Sequence, residues 1–227
     1  MTRKLTLLGP LVFILAAAHA VFAWMHRDLR PVLEVLTPPP GHLAGTVAAA
    51  GDNQFIYRIW ALDLQNAGDT GGRATPMHDY NYDLVIGWLE TLQALDPRAH
   101  QHAHLAANYF SLTPNLADVR RIVAFVADDW ALYPAEKWVW MVRGVEIATA
   151  RLKDREYALA LSQRLAAYDL PAISFIIMSL PAIFLEKLGR YAEARVALNE
   201  ALQKRADTVT VDERAWAEDF ILRLPKD

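Results

Sequence analysis

Three prolines divide most of the chain at a constant interval. Pro97, Pro134 and Pro171 lie 37 residues apart, and an amphipathic run with apolar residues at three- and four-residue spacing precedes each one. A second apolar run follows each proline, so each interval holds a pair of helices. A period of 20 to 50 residues is typical of proteins built from stacked helical hairpins. The sequence therefore predicts an all-α helical-hairpin repeat solenoid over residues 43–227.

The prolines also predict where helices begin. Proline fits the first turn of a helix, because its missing N–H is not needed there. Asp96, directly before Pro97, is a favourable N-cap residue. We therefore expect helices to start at Pro97, Pro134 and Pro171, and a further helix to cover about residues 43–67.

The last repeat resembles the tetratricopeptide repeat (TPR). Residues 185–202 read LEKLGRYAEARVALNEAL, with a Leu-Gly turn, Tyr191, and the small residues Ala194 and Ala201 on either side of Leu198. The sequence DREYA, residues 154–158, resembles the interhelical turn of the preceding repeat. The resemblance implies helix pairs that stack into a right-handed superhelix, with an inner groove that holds a peptide or protein.

The sequence departs from the TPR pattern in two respects, and a second resemblance covers more of the chain. The 37-residue interval exceeds the 34 residues of that repeat, and residues 99–131 match it poorly. Residues 50–225 also resemble bacterial membrane-anchored repeat proteins that end in an Asp-rich capping helix, here residues 210–224. Thr210 and Glu213 predict a capping box at the start of that helix.

The N-terminal residues predict a membrane anchor. Residues 5–25 contain no Asp, Glu, Lys or Arg, and a helix of 21 residues rises about 31 Å, enough to span a hydrocarbon core of about 30 Å. The large apolar residues expected to face lipid are Leu5, Leu11, Phe13, Leu15, Phe22 and Trp24. We assign residues 1–30 to this segment and residues 31–42, which contain three consecutive prolines, to a stiff spacer.

A cleaved signal peptide is the alternative interpretation of the same residues. Ala18, His19 and Ala20 fit a cleavage site with small residues at both ends. Arg3 and Lys4 weakly favour a cytoplasmic N-terminus. Both interpretations place the repeat domain in the periplasm, and the anchor interpretation predicts a single-pass protein of the bacterial inner membrane.

Composition and motifs argue against several functions. The formal net charge is -3 without a run of basic residues, so nucleic acid is not an expected partner. The chain has no Cys, no GxSxG motif and no HExxH motif. The acidic pair Asp128 and Asp129 lies in a predicted helix, and we expect both to be solvated. We predict that the protein is not an enzyme and has no cofactor and no small-molecule substrate.

Three histidines in five residues raise the question of a metal site. The sequence HQHAH spans residues 100–104, and on a helix His100 and His104 share a face while His102 points away from it. The pair has the spacing of zinc-binding helices but needs further ligands. We therefore expect no metal, with His100 and His104 as candidate ligands if there is one.

Aromatic and arginine side chains predict a protein-binding surface. Trp, Tyr and Arg concentrate the binding energy of interfaces. The candidates are Trp130, Tyr133, Trp138, Trp140, Arg143 and Arg151. Packing between repeats is the alternative interpretation of the tryptophans. The uncharged residues 170–185 are expected to form a buried helix, with an apolar face for a membrane partner as the alternative.

These patterns together predict a non-catalytic, membrane-anchored protein. We expect it to bind another protein, itself membrane-associated, and to help assemble, stabilise or organise a membrane complex. The alternative is a periplasmic protein that handles a metal or delivers a cofactor through His100 and His104. Self-association of the repeats is a third possibility.

Overall fold

The computed structural model describes residues 5–25, 35–70 and 73–225; for residues 5–11, 23, 42, 70 and 73 it describes the backbone alone. Those ranges contain twelve α-helices, one pair of two-residue strands and a few 3₁₀ and π-helical turns. The predicted all-α class is therefore confirmed. The chain divides into two compact units, Met1–Glu34 and Val35–Asp227.

Helix α1 (Leu5–Met25) lies in the first unit. Of the predicted lipid-facing side chains, Phe13, Leu15, Phe22 and Trp24 are exposed. The side chains of Leu5 and Leu11 lie outside the described residues, as do Arg3 and Lys4. Within the described part of the chain, no helix combines the length and apolar character needed to cross a membrane.

Residues 35–41, the described part of the predicted spacer, belong to the second unit. They lie against α4 (Tyr82–Leu95), where the indole N–H of Trp88 donates to the carbonyl of Thr37 at 2.8 Å. Leu36 is buried in the core. The ring of Pro39 lies so close to Gly87 that a Cβ there would be 3.0 Å from it. This proline segment is therefore packed onto the helical domain.

The single helix expected over residues 43–67 is two helices, so that prediction was wrong. Helix α2 (His42–Ala49) ends at Ala50 and Gly51, which have φ of 46° and 92°. Left-handed backbone at two successive residues cannot continue a right-handed helix. Helix α3 (Asn53–Gln65) then starts afresh, with the Asp52 carboxylate accepting from the Phe55 N–H at 2.9 Å.

A tight hairpin follows α3. Strands β1 (Asp69–Thr70) and β2 (Arg73–Ala74) pair antiparallel. Gly68 before them has φ of 84°, and a Cβ there would lie 1.9 Å from the Tyr80 hydroxyl oxygen. That hydroxyl donates to the Ala67 carbonyl at 2.5 Å. Only glycine fits this position, because of both its backbone conformation and the close approach of the tyrosine.

The helix expected at Pro97 begins later. Helix α5 (Gln101–His104) continues into a π-helical turn (Leu105–Tyr109) and a 3₁₀ turn (Phe110–Leu112). Pro97 lies in a turn, and the carboxylate of Asp96 accepts from the Arg98 N–H at 3.1 Å. Asp96 is thus the C-cap of α4 and stabilises the turn, and it is not the N-cap of a following helix.

The next proline has the predicted role. Helix α6 (Leu116–Leu132) is followed by α7 (Pro134–Ala150), which begins at Pro134 as expected. The two helices pack closely, since a Cβ at Gly144 of α7 would meet Val123 and Val126 of α6 at 3.7 and 3.8 Å.

Five helices complete the second unit: α8 (Arg155–Ala167), α9 (Phe175–Met178), α10 (Leu180–Lys187), α11 (Tyr191–Lys204) and α12 (Val211–Arg223). The longer helices pack in chain order, α7 on α8, α8 on α10 and α10 on α11, with the short helix α9 lying between α8 and α10 in the sequence. The predicted capping box between Thr210 and Glu213 is confirmed.

The start predicted at Pro171 was wrong, because residues 169–174 form a loop held by Arg205. Its buried guanidinium donates to the carbonyls of Leu170 and Ile173 at 2.6 and 2.9 Å, and to the Asp169 carboxylate at 2.5 Å. The uncharged residues 170–185 therefore form this loop and two short helices. Half of their apolar side chains are buried, among them Phe175, Phe184 and Leu185, while Ile176 is exposed.

The packing of the proline segment is testable through Leu36. Replacing Leu36 by Ala should lower the free energy of unfolding by about 2–3 kcal/mol, because it removes a buried side chain. Denaturant unfolding of the full chain in detergent, followed by tryptophan fluorescence, measures the change. Pro38→Ala is the control, since Pro38 is exposed. Equal stability of the two variants would contradict the described packing.

Candidate functional site

Helices α5 and α7 form an exposed surface around Trp140. His100 and His104 lie one helical turn apart, and the Trp140 ring faces both, with ring centroids 6.2 and 5.7 Å away. The indole N–H of Trp140 donates to Nδ1 of His100 at 2.8 Å. Both imidazoles are exposed and the indole is half-buried. The expectation that His100 and His104 share a face is confirmed.

Asn108 joins this surface because of the π-helical turn that follows α5. Its amide nitrogen lies 3.1 Å from Nδ1 of His104, and its amide oxygen accepts from Nε of Arg143 at 3.1 Å. Arg143 also donates to the Glu146 carboxylate at 2.8 Å. We call His100, His104, Asn108, Trp140 and Arg143 the α5–α7 surface. Within this surface, the Trp140 indole is held by its hydrogen bond to His100 and the Arg143 guanidinium by its hydrogen bond to Asn108.

The other four candidate binding residues lie elsewhere. Trp130 is only 1% exposed, and its indole N–H donates to the Pro134 carbonyl at 3.3 Å, so it cannot contact a partner in this structure. Tyr133 is half-buried beneath the guanidinium of Arg98, and Trp138 packs against the core. Arg151 donates to the Thr113 carbonyl at 2.8 Å. The structure therefore unites only Trp140 and Arg143 with the two histidines.

The α5–α7 surface has limited capacity for a metal ion. Nδ1 of His100 and Nδ1 of His104 are both engaged in hydrogen bonds, which leaves the two Nε2 atoms. A closed zinc site needs four ligands. Among the described residues, no group of three or more His, Cys, Asp or Glu side chains is placed to hold a metal.

A buried polar cluster lies on the opposite side of α5. His102, Asp129 and Lys137 are each fully buried. His102 Nε2 is 2.8 Å from Oδ1 of Asp129, and Lys137 Nζ donates to both oxygens of that carboxylate at 2.7 and 2.8 Å. Gln93 of α4 donates to Oδ1 at 3.0 Å. The expectation that Asp129 is solvated was wrong, whereas its neighbour Asp128 is exposed.

Tyr57 of α3 bonds to the second ring nitrogen of His102. Burial raises the pKa of Tyr57 well above its usual value, so the phenol stays protonated. Its hydroxyl lies 3.0 Å from Nδ1 of His102 and accepts from the His102 backbone N–H at 3.2 Å. Both ring nitrogens of His102 are therefore engaged, Nδ1 with the Tyr57 hydroxyl and Nε2 with the Asp129 carboxylate and, at 3.1 Å, with Nζ of Lys137.

The surrounding hydrogen bonds stabilise the Asp129 carboxylate. Burial opposes ionisation of Asp129, but hydrogen bonds from His102, Lys137 and Gln93 outweigh it, and the pKa of Asp129 is lowered. The carboxylate is then negative and the Lys137 ammonium compensates it. Because all three central side chains are fully buried, no substrate reaches them in this structure.

Sequence reasoning missed most of this cluster. The spacing within HQHAH placed His102 on the face of α5 opposite His100 and His104, and that direction is confirmed. No local signal separates Asp129 from Asp128 except the helical periodicity of α6, in which position 129 falls between the buried Val126 and Trp130. Lys137 lies on the same face of α7 as Met141 and Gly144, which follow it by four and seven residues.

No protein-family model matches the chain, and neither a curated protein nor a solved structure matches it.

The ion pair within the buried cluster predicts a large effect of a single substitution. Lys137→Met should lower the free energy of unfolding by about 3–5 kcal/mol, because it leaves the Asp129 carboxylate buried without its cation. Adding Asp129→Asn to that variant should restore part of the loss. Denaturant titrations of the wild type, both single variants and the double variant give the coupling energy. Arg223→Met is the control, since its ion pair with Asp219 is exposed and should contribute less than about 1 kcal/mol. Additive effects of the two cluster substitutions would contradict the coupling.

The lowered pKa of Asp129 predicts acid sensitivity. The unfolded chain takes up this proton at a higher pH than the folded chain does, so the stabilisation is present above the unfolded pKa of about 3.9 and is lost as the pH falls through the folded pKa. Between about pH 5 and pH 2, the wild type should therefore lose stability more steeply than Asp129→Asn. Unfolding titrations at several pH values measure the two slopes. Equal slopes would show that Asp129 has an ordinary pKa in the folded protein.

Proposed function

We propose that the protein is a membrane-anchored, TPR-like repeat protein that binds another protein through the α5–α7 surface. In this role it is a non-catalytic accessory subunit that helps assemble, stabilise or organise a membrane-associated complex. The repeat domain lies on the periplasmic side of a bacterial inner membrane, with α1 as a single-pass anchor.

The observation that carries the proposal is the fixed geometry of Trp140 and Arg143. Indole and guanidinium groups concentrate the binding energy of protein interfaces. Here each is oriented before binding, Trp140 by His100 and Arg143 by Asn108 and Glu146. A side chain that is already ordered loses less conformational entropy on association. This arrangement favours a protein partner whose surface offers carboxylates or carbonyl oxygens to Arg143 and an apolar side chain to the indole.

The helical packing supports a repeat array. Helix α8 packs between α7 and α10, and α10 packs on α11, as expected where hairpins stack in chain order. Helix α12 begins with a complete capping box and exposes much of its polar side, which suits the end of such an array. In this interpretation Ala194, Leu198 and Ala201, which are buried, form the close-packed seam of the last repeat.

The proposed anchor keeps the protein close to a partner in the same membrane. Helix α1 has no charged residue over its 21 positions. A protein held in the same membrane as its partner experiences a raised effective concentration, so a modest affinity of the α5–α7 surface suffices. The burial of His102, Asp129 and Lys137 supports a non-catalytic role, since the one dense group of titratable side chains described above has no access to solvent.

Trp140→Ala combined with Arg143→Ala should remove the partner from the isolated complex. The wild type and the variant are purified from membranes in mild detergent, and co-purifying chains are identified by mass spectrometry. We expect a stoichiometric membrane-associated protein with the wild type and at least about a tenfold loss with the variant, which corresponds to about 1.4 kcal/mol.

Arg190→Ala is the matched control, because Arg190 bonds to Glu193 on a distant exposed surface. The same sample reports the mature N-terminus and the metal content. A wild-type protein that purifies alone under several gentle extraction conditions would overturn the accessory-subunit role. Stoichiometric metal lost with His100→Ala and His104→Ala would favour a metal-handling protein.

A further inference from the structure

Helices α2 and α3 expose an apolar stripe. Leu43 and Val47 lie one turn apart on α2 and are 77% and 70% exposed. Phe55, Ile59 and Leu62 recur at four- and three-residue spacing on α3, so they share one face of that helix. We call these five residues the α2–α3 stripe.

Exposed apolar side chains are concentrated in the stripe and are sparser over the rest of the helical domain. Fourteen large apolar side chains are exposed among the described residues of Val35–Asp227, and five of them lie on these two consecutive helices. The other nine are spread over residues 112–222. Scattered apolar residues are normal at a protein surface, whereas grouped ones mark interaction sites.

Both helices bury their opposite sides. Gly45 of α2 faces Trp60 and Leu95, at 3.3 and 3.7 Å from the position of a Cβ, while α3 buries Tyr57 and Leu64. Within the described residues, the stripe therefore points away from the core that these helices share.

Few charges accompany the stripe. Residues 42–65, which include α2 and α3, contain three charged side chains, Asp52, Arg58 and Asp63, and the last of these lies at the end of the stripe beside Leu62. The Asp52 carboxylate accepts a hydrogen bond from the Phe55 backbone N–H, so it caps α3. Transfer of this surface out of water therefore involves little desolvation of charge, which favours a hydrocarbon environment over a polar protein surface.

The stripe follows α1 closely along the chain. Residues 35–41 are packed on α4, so residues 26–34 alone connect Met25 with the helical domain. The stripe begins eight residues after Val35, on the first helices of the domain.

We infer that the α2–α3 stripe docks on the lipid surface of the bilayer that holds α1. This inference rests on the proposed anchor. Helices of 8 and 13 residues are too short to span a bilayer, which takes about 20 residues, so they lie in the interface with their apolar faces towards the acyl chains. The contact orients the helical domain relative to the membrane.

The absence of Cys from the chain permits a direct test with single-cysteine spin labels. Leu62→Cys reports on the stripe, and Val196→Cys on α11 is the matched control, since the two native side chains are 55% and 57% exposed. Leu15→Cys reports on α1. The full-length variants are placed in vesicles of phosphatidylethanolamine and phosphatidylglycerol, and collisions with oxygen and with a water-soluble nickel chelate are measured.

We expect the oxygen-to-nickel collision ratio at Leu62 to be at least about twofold that at Val196, because the acyl region admits oxygen and excludes the chelate. Phe55→Cys, at a second stripe position, should behave as Leu62→Cys does. Circular dichroism checks that each labelled variant is folded.

Each other outcome has a distinct meaning. A lipid-like ratio at Leu15 with equal ratios at Leu62 and Val196 overturns lipid docking and leaves the anchor in place. A water-like ratio at Leu15 overturns the anchor itself. Low collision rates of the Leu62 label with both reagents would mean that protein covers the stripe, either a second copy or another chain, and this too overturns lipid docking.

Discussion

The carboxylate of Asp129 connects five structural elements in the interior of the helical domain. It bonds to His102 of α5, Lys137 of α7 and Gln93 of α4, while Tyr57 of α3 holds the far nitrogen of His102. Asp129 itself lies in the last turn of α6. Removing one member leaves at least one buried polar group of the cluster short of a hydrogen bond, which is far more unfavourable than losing an exposed ion pair. The cluster therefore specifies how α3 to α7 are positioned relative to one another.

Helix-end electrostatics do not explain this cluster. Asp129 lies near the C-terminus of α6 and Lys137 in the first turn of α7, and both positions carry the charge that the helix dipole disfavours. The two residues lie on either side of the short connection between α6 and α7, so their attraction holds the two helix ends together. An apolar pair of similar volume would satisfy the hydrophobic requirement equally well. The geometry of the hydrogen bonds, in contrast, is satisfied by one arrangement of α3 to α7.

Regular features of this fold followed from the sequence, and the irregular ones did not. Pro134 and the Thr210–Glu213 capping box have local causes, so α7 and α12 start where expected. Pro97 and Pro171 have the same spacing, yet both lie in turns or loops. At Pro171 a distant residue decides the conformation, because the guanidinium of Arg205 holds residues 169–173, whereas at Pro97 the Asp96 carboxylate closes a local turn.

The same distinction between local and long-range causes applies to the candidate site. Helical spacing predicted that His100 and His104 share a face and that His102 points away from it. It did not predict that Trp140 would lie against both exposed rings, because the π-helical turn, the 3₁₀ turn and α6 separate α5 from α7, and no local motif gives the length of the π-helical turn. Spacing along one helix is a local property, whereas contacts between helices depend on every connection between them.

The two faces of α5 link the buried cluster to the α5–α7 surface. With four residues, α5 is too short to be stable by its own hydrogen bonds, so contacts on both sides determine its position. On the inner side His102 bonds to Tyr57 and Asp129, and on the outer side His100 accepts from Trp140. A shift of His102 would therefore displace the outer imidazoles that orient the indole. In this way the geometry of the proposed binding surface depends on a hydrogen-bonded cluster that the partner never touches.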